Sequence, residues 1–274
     1  MTQQVTEIVP RSGWSGLQLR EFWRFRELLG FLTWRDLKLR YRQTVFGALW
    51  AVMQPLLTMV VFSLFFGRLA QMPSDGVPYP LFSFAGLVPW TLFTYGLNQS
   101  AQSLVGNSQL LTKVWFPRLI LPVSSVLSGV VDFLLALLVL FAMMLAYGFG
   151  PSWRLLAIIP LTLLAVASSL AVGIWLSALA VRYRDVRFTL PFLTQLWLFA
   201  TPIAYSANAV EGWRQLLWAL NPMATVVVGF RWALLGVDAK VGPLVGVSVG
   251  VVIVSLSIGL AYFRRIEVTF ADVV

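Results

Sequence analysis

The chain is 274 residues long, 59% hydrophobic and only 11% charged, with mean hydropathy +0.82; a water-soluble domain carries about 25% charged residues, so the missing charge marks surface that faces lipid. It contains neither Cys nor His, which excludes disulfides, zinc-thiolate sites, iron–sulfur clusters and thiol nucleophiles, removes the commonest general base and metal ligand, and weighs against an enzyme. A net charge of +9 raises nucleic acid as a partner, an idea that the placement of the cations removes below.

The N-terminus lacks the pattern of a cleaved signal, and the first long apolar run begins near Val45. Residues 17–32 carry Phe22, Phe25, Leu29 and Leu32 at helical spacing, with Arg20, Glu21, Arg24 and Glu27 around them. That pattern predicts an amphipathic helix lying on the membrane surface, either as an anchor or to position a partner. Thr33-Trp34-Arg35-Asp36 has the form of a capping box and predicts a new helical start at Thr33. Arg35, Lys38 and Arg42 then fall on one face, denser in charge than an anchor needs and open to docking or to plain solvation.

About twenty apolar residues cross a bilayer core, and six segments meet that length: near 46–67, 83–104, 119–148, 155–180, 189–207 and 242–263. The expected fold is therefore an all-α integral membrane protein, with a cytoplasmic N-terminal region at 1–44 and a six-span domain at 45–274. Between the second and third spans, residues 107–118 present Leu110, Leu111, Val114, Trp115 and Phe116, side chains that need cover from lipid headgroups or another protein. Between the fifth and sixth, one short apolar pattern runs around Trp213, Leu216, Leu217 and Leu220 to Asn221-Pro222, and a second runs from Thr225 to Leu235. They read as short helices re-entering the outer face, a geometry tolerated where the backbone is buried in protein or lines a cavity.

Lys and Arg in loops are retained on the cytoplasmic side. With six crossings, fifteen cations fall on the side shared by both termini and five on the other, so both termini are expected to be cytoplasmic. The asymmetry accounts for the net charge through anionic membrane lipid and leaves no case for nucleic acid.

Asp132 is the only acid inside an expected span. Satisfaction by a neighbouring polar group is favoured over a proton relay, because no second carboxylate lies at depth. Trp90, Phe93 and Tyr95, and again Trp197, Phe199 and Tyr205, are either interfacial belts or a path for sugar rings. Gln54, Gln195, Asn98 and Gln99 suit a wet passage or bonds between helices. Pro55, Pro89, Pro191 and Pro202 predict kinks or helix ends. No Gly-x-x-x-x-Gly-Lys-Ser/Thr loop occurs.

The run from Arg35 through Asp36, Lys38, Arg40, Tyr41 and Gly47 to Trp50, with Gln54-Pro55, resembles the permeases of type-2 ABC exporters, most closely the branch that moves O-antigen, capsular polysaccharide or teichoic acid. Lys113-Val114-Trp115-Phe116-Pro117-Arg118 with Pro122, Arg182-Tyr183-Arg184-Asp185, Thr201-Pro202-Ile203-Ala204-Tyr205 and Asn221-Pro222-Met223 are similar to family segments in the same order. The resemblance implies a homodimer enclosing a channel in the bacterial inner membrane. It also implies two copies of a separate ABC ATPase that binds ATP and Mg, a lipid-linked glycan as cargo, and no cofactor on this chain. On the same basis Arg35, Asp36, Lys38, Arg40, Lys113, Trp115, Phe116 and Arg118 are candidates for coupling to the ATPase. Trp50, Gln54, Gln195, Trp197, Phe199 and Tyr205 are candidates for the channel wall. Two rivals are a permease of the same topology for drugs or simple lipids, and a membrane-embedded glycosyl- or acyltransferase; the latter calls for clustered acids or a His, which Asp132 alone does not supply.

Overall fold

The computed structural model describes residues 19–42, 47, 49–207, 214–237, 241–267 and 270, and among these every regular element is helical. Short α1 (Leu19–Arg24) turns at Phe25 into α2 (Arg26–Tyr41). Next come α3 (Leu49–Phe62), continued by π-helical Ser63–Leu69, and α4 (Tyr79–Gly106). Short α5 (Ser108–Lys113) leads to α6 (Ile120–Ala146), and a 3₁₀ turn at Trp153–Ala157 leads to α7 (Ile158–Arg182). The chain finishes with α8 (Val186–Ala200), α9 (Arg214–Ala219), α10 (Pro222–Leu235) and α11 (Val241–Glu267).

Among the described residues, four helical stretches are long and apolar enough to cross a membrane: Leu49–Leu69, Ile120–Ala146, Trp153–Arg182 and Gly242–Glu267. The segment expected at 83–104 forms the 28-residue helix α4, but its residues are more polar, and the reason is position. Nineteen of its 28 residues are buried, because α6, α7, α10 and α3 all pack around it. A helix with most of its surface against protein has little lipid to satisfy and can carry Ser83, Thr94, Ser100 and Ser103. Most of these hydroxyls donate to carbonyls one turn back, as Thr94 does to Trp90 at 3.0 Å and Ser103 to Ser100 at 2.7 Å. Small residues let neighbours close in: a Cβ on Gly96 would stand 2.9 Å from Ser169 Oγ, and one on Gly173 2.6 Å from Ser100 Oγ.

Two expectations change. The fifth apolar segment does not run helically to 207: α8 ends at Ala200, and Thr201 turns extended (φ −105°, ψ 135°) ahead of Pro202. The residue before a proline is disfavoured in the helical region. Nor does a helix start at Thr33, because α2 runs through it and the Thr33 hydroxyl donates back to the Leu29 carbonyl at 2.8 Å. A hydroxyl followed three residues later by an acid marks a cap only where no helix already precedes it. Trp213, from the first outer pattern, lies outside the described residues.

The core has two parts. The larger joins α4, α6, α7 and α10. The smaller gathers Leu32 of α2, Leu104, Leu111, Phe116, Ile120, Leu121, Ile174 and Phe263 at the end where the basic loops meet, with Phe270 folded edge-on against Phe263 at 5.3 Å.

Candidate functional site: the basic face and the opposite junction

At the basic end, the run around Lys113 divides cleanly. Lys113, Val114 and Trp115 are exposed, Trp115 by 60%, whereas Phe116 is only 6% exposed in the smaller core. Arg118 turns inward as well, donating to the Glu267 carbonyl and lying over the Phe270 ring at 5.6 Å. Trp115 leans edge-on to Phe25 at the start of α2, with centroids 5.9 Å apart. The loop thus abuts the start of α2, and Trp23 of α1, Trp34 and Lys38 of α2 and Lys113, Val114 and Trp115 of the loop are among the exposed groups of this joined surface.

Arg35 bonds Asp36 at 2.7 Å and the Asn107 side chain at 2.8 Å, fastening α2 to the end of α4. Arg40 faces inward. It pairs with Asp132 of α6, donates to Ser128 Oγ at 3.2 Å, and stacks over Tyr95 with its guanidinium carbon 3.9 Å from the ring centroid. Tyr41 donates to the second Asp132 oxygen. Burial, reinforced by that carboxylate, pushes the Tyr41 phenol up to about 12, so it stays a donor across physiological pH. Beside this latch lies a cavity of about 360 Å³ lined by Asp36, Leu39, Arg40, Tyr95, Gln99 and Ser125.

At the opposite end, the residues after α8 return a broken backbone to α4 and α10. Asn221 caps α10 by accepting from the Met223 amide at 3.1 Å, and its side chain also accepts from Trp197 Nε1 at 3.1 Å and donates to Thr201 Oγ1 at 3.0 Å. Tyr79 donates to the Ala204 carbonyl at 2.7 Å, and Ser206 donates to Asp75 at 2.7 Å. Arg231, only 3% exposed, donates to the carbonyls of Phe82 (3.1 Å), Pro202 (2.7 Å), Ile203 (2.6 Å) and Tyr205 (3.4 Å), with its guanidinium 3.4 Å from the Phe82 ring centroid. Arg231 is one of the five cations that the sequence places on the outer side. Its signal was a lone cation in the apolar run from Thr225 to Leu235, the kind of placement that calls for named partners.

The six channel-wall candidates fall into two groups. Trp50, Gln54, Gln195 and Phe199 are exposed on α3 and α8. Trp197 and Tyr205 are half-buried in the junction, Trp197 edge-on to Phe93 at 5.0 Å and Tyr205 donating to the Phe199 carbonyl at 3.1 Å. Among the described residues no group of three or more acidic, His or Cys side chains converges as a metal site.

The division of the loop makes a prediction. Phe116→Ala is expected to cost about 3 kcal/mol, the usual loss for emptying a buried aromatic site, whereas Trp115→Ala should shift stability by less than about 1 kcal/mol. Thermal melting of the detergent-purified variants checks this, and equal losses would contradict the division.

The chain is 34% identical over 216 residues to the O-antigen export system permease protein RfbA of Myxococcus xanthus, covering 78% of this chain and 82% of that one. It is 28% identical over 250 residues to the protein of the same name from Klebsiella pneumoniae, covering 90% and 95%. It is 22% identical over 240 residues to the polysialic acid transport protein KpsM of Escherichia coli, covering 85% and 91%. Residues 27–235 match the family described as ABC-2 type transporter, a span that takes in α2, the Arg40–Asp132 latch, the Lys113 loop and Arg231, and the chain belongs to that family.

Proposed function

We propose that this chain is the membrane subunit of an ATP-driven exporter that carries a lipid-linked polysaccharide of the O-antigen or capsule type across the bacterial inner membrane. It works as a homodimer on two copies of a separate ABC ATPase, which holds the ATP and Mg. The observation that carries the reading is the joined basic and aromatic surface formed by α2 and the Lys113 loop, in a chain whose relatives are named for polysaccharide export. Six crossings with both termini cytoplasmic account for α4 and α8, as a protein-enclosed span and a short one, and place the basic face toward the ATPase. On this topology α9 and α10 re-enter from outside, with α10 buried on all sides as such a segment must be.

The mechanism is mechanical. ATP binding draws the ATPase subunits together, and their motion reaches Lys113–Trp115. From there it passes through Phe116 and the Phe25 contact into the smaller core, and through Arg35 and Arg40 into α4 and α6. The shift requires that the ATPase hold this surface differently in its two states, since equal affinity for both moves nothing.

Affinity purification from membranes tests the reading. A stoichiometric P-loop ATPase is expected with the wild-type chain and is expected to be lost on Lys38→Glu with Lys113→Glu, two exposed cations. Recovery of the chain alone, or retention of the ATPase by the doubly reversed variant, contradicts it.

A further inference from the structure

In a low-dielectric setting every backbone carbonyl needs a donor, and a helix that stops inside the bilayer leaves its last carbonyls orphaned. The end of α8 presents that problem, because its last turn meets Pro202, which has no amide hydrogen to give. The last carbonyls of α8 are taken by Thr201, whose amide serves Leu198 at 3.2 Å and whose hydroxyl serves Trp197 at 2.9 Å, by Tyr205 at Phe199 and by Asn221 at Ala200, 3.4 Å away. In the bent backbone beyond the helix Tyr79 takes Ala204, and Arg231 takes Pro202, Ile203 and Tyr205 while also holding Phe82 of α4. The guanidinium suits this task because its donors are spread in one rigid plane and it keeps its charge.

We propose that Arg231 is a positioning residue that joins the end of α8, α10 and α4 into one block throughout the transport cycle, so that the exit opens between copies of the chain and not by the outer helices swinging off their own. The proposal rests on the export reading above. Swinging α10 away from both α4 and the backbone beyond α8 would take the guanidinium from the Pro202, Ile203 and Tyr205 carbonyls and from Phe82, and would leave a buried cation without its acceptors. It would also expose a helix in which thirteen of fourteen residues are buried. The contrast with the flanking helices is sharp: α3 buries only Pro55 and Phe62, and α8 only Leu190 and Thr194. Those faces are free to separate, and the junction is not. Gly86 completes the fit, since a Cβ there would stand 3.1 Å from an Arg231 nitrogen.

Hydrogen exchange on the wild-type chain, purified with the ATPase it brings down, tests the idea in nucleotide-free and ATP-trapped states. Amides of 201–206 and of α10 are expected to change less than two-fold between states, while α3 or α8 changes more. A ten-fold rise at 201–206 or in α10 on ATP binding overturns the proposal without any substitution. Arg231→Gln is expected to raise exchange at 201–206 at least ten-fold and to reduce surface polysaccharide at least ten-fold while the ATPase still co-purifies. Arg231→Lys, with the charge but not the fork, is expected to recover less than half of that export. Wild-type exchange and export in Arg231→Gln would also overturn it, and if that variant does not accumulate, the wild-type comparison decides. Failure of the export reading registers separately, as a deletion strain that keeps its surface polysaccharide.

Discussion

Gly173→Leu is expected to yield no folded protein, leaving only aggregate when membranes expressing it are solubilised and run on a sizing column. The α4–α7 seam has no room for it. A Cβ at Gly173 already stands 2.6 Å from Ser100 Oγ and 2.7 Å from Ser100 Cβ, and the reciprocal site four residues away sets Gly96 against Ser169 at 2.9 Å. Ser100 and Ser169 are both fully buried and cannot swing aside into solvent. Overpacking by a methylene or two costs about 1–3 kcal/mol. Leucine adds four carbons where one does not fit, which exceeds what a protein with about 5–15 kcal/mol of total stability absorbs at its central contact. The smaller change Gly173→Ala should fold with a lowered melting temperature, and Ser100→Gly in the same chain should return most of the loss. Favourable coupling above about 1 kcal/mol in that cycle identifies steric crowding as the cause. A Gly173→Leu protein with wild-type yield and melting would refute the packing argument.

The second large effect belongs to the latch between α2 and α6. Removing one partner of a buried ion pair costs about 3–5 kcal/mol, because the other charge stays behind unpaired. The Arg40 and Asp132 side chains are 24% and 21% exposed, so water screens part of the loss, and Asp132→Asn is expected to cost about 2 kcal/mol. Arg40→Met in the same chain should restore part of it, since no stranded guanidinium then remains beneath α2. The chain has no cysteine, so a single Ser125→Cys beside the cavity reports whether α2 stays seated. Maleimide labelling there is expected to speed up at least five-fold with Asp132→Asn. Unchanged labelling, with single and double variants within about 0.5 kcal/mol of wild type, would mean that the latch does not hold the helix.

Apolar length in the sequence was enough to mark the four stretches that can cross a membrane, because lipid imposes its demand locally, residue by residue. The π-helical end at Ser63–Leu69 left no such mark. Asp132 was legible as an acid inside an expected span but its partners were not, since Arg40 and Tyr41 lie about ninety positions away and only the packing of α2 on α6 brings them in. The same limit explains Phe116 and Trp115. The two are adjacent and both aromatic, and the sequence does not say that one fills a core while the other stands outside it. Thr33 failed for a different reason, as its hydroxyl had an equally good acceptor one turn back inside a continuing helix. Arg231 could have been found by asking which carbonyls a cation in an apolar run would satisfy.

The shortness of α8 has a consequence for the shape of the membrane around it. Fifteen residues rise about 22 Å at 1.5 Å each, about 8 Å less than the hydrocarbon core, and the chain then turns into a floor of hydrogen-bonded peptide groups instead of continuing outward. On the six-crossing topology proposed above, that floor is a basin set below the outer surface of the bilayer. On the export reading proposed above, with α8 on the channel wall, a polymer leaving along it would meet polar surroundings about a quarter of the way early, and the dry part of its journey would be shortened by that depth.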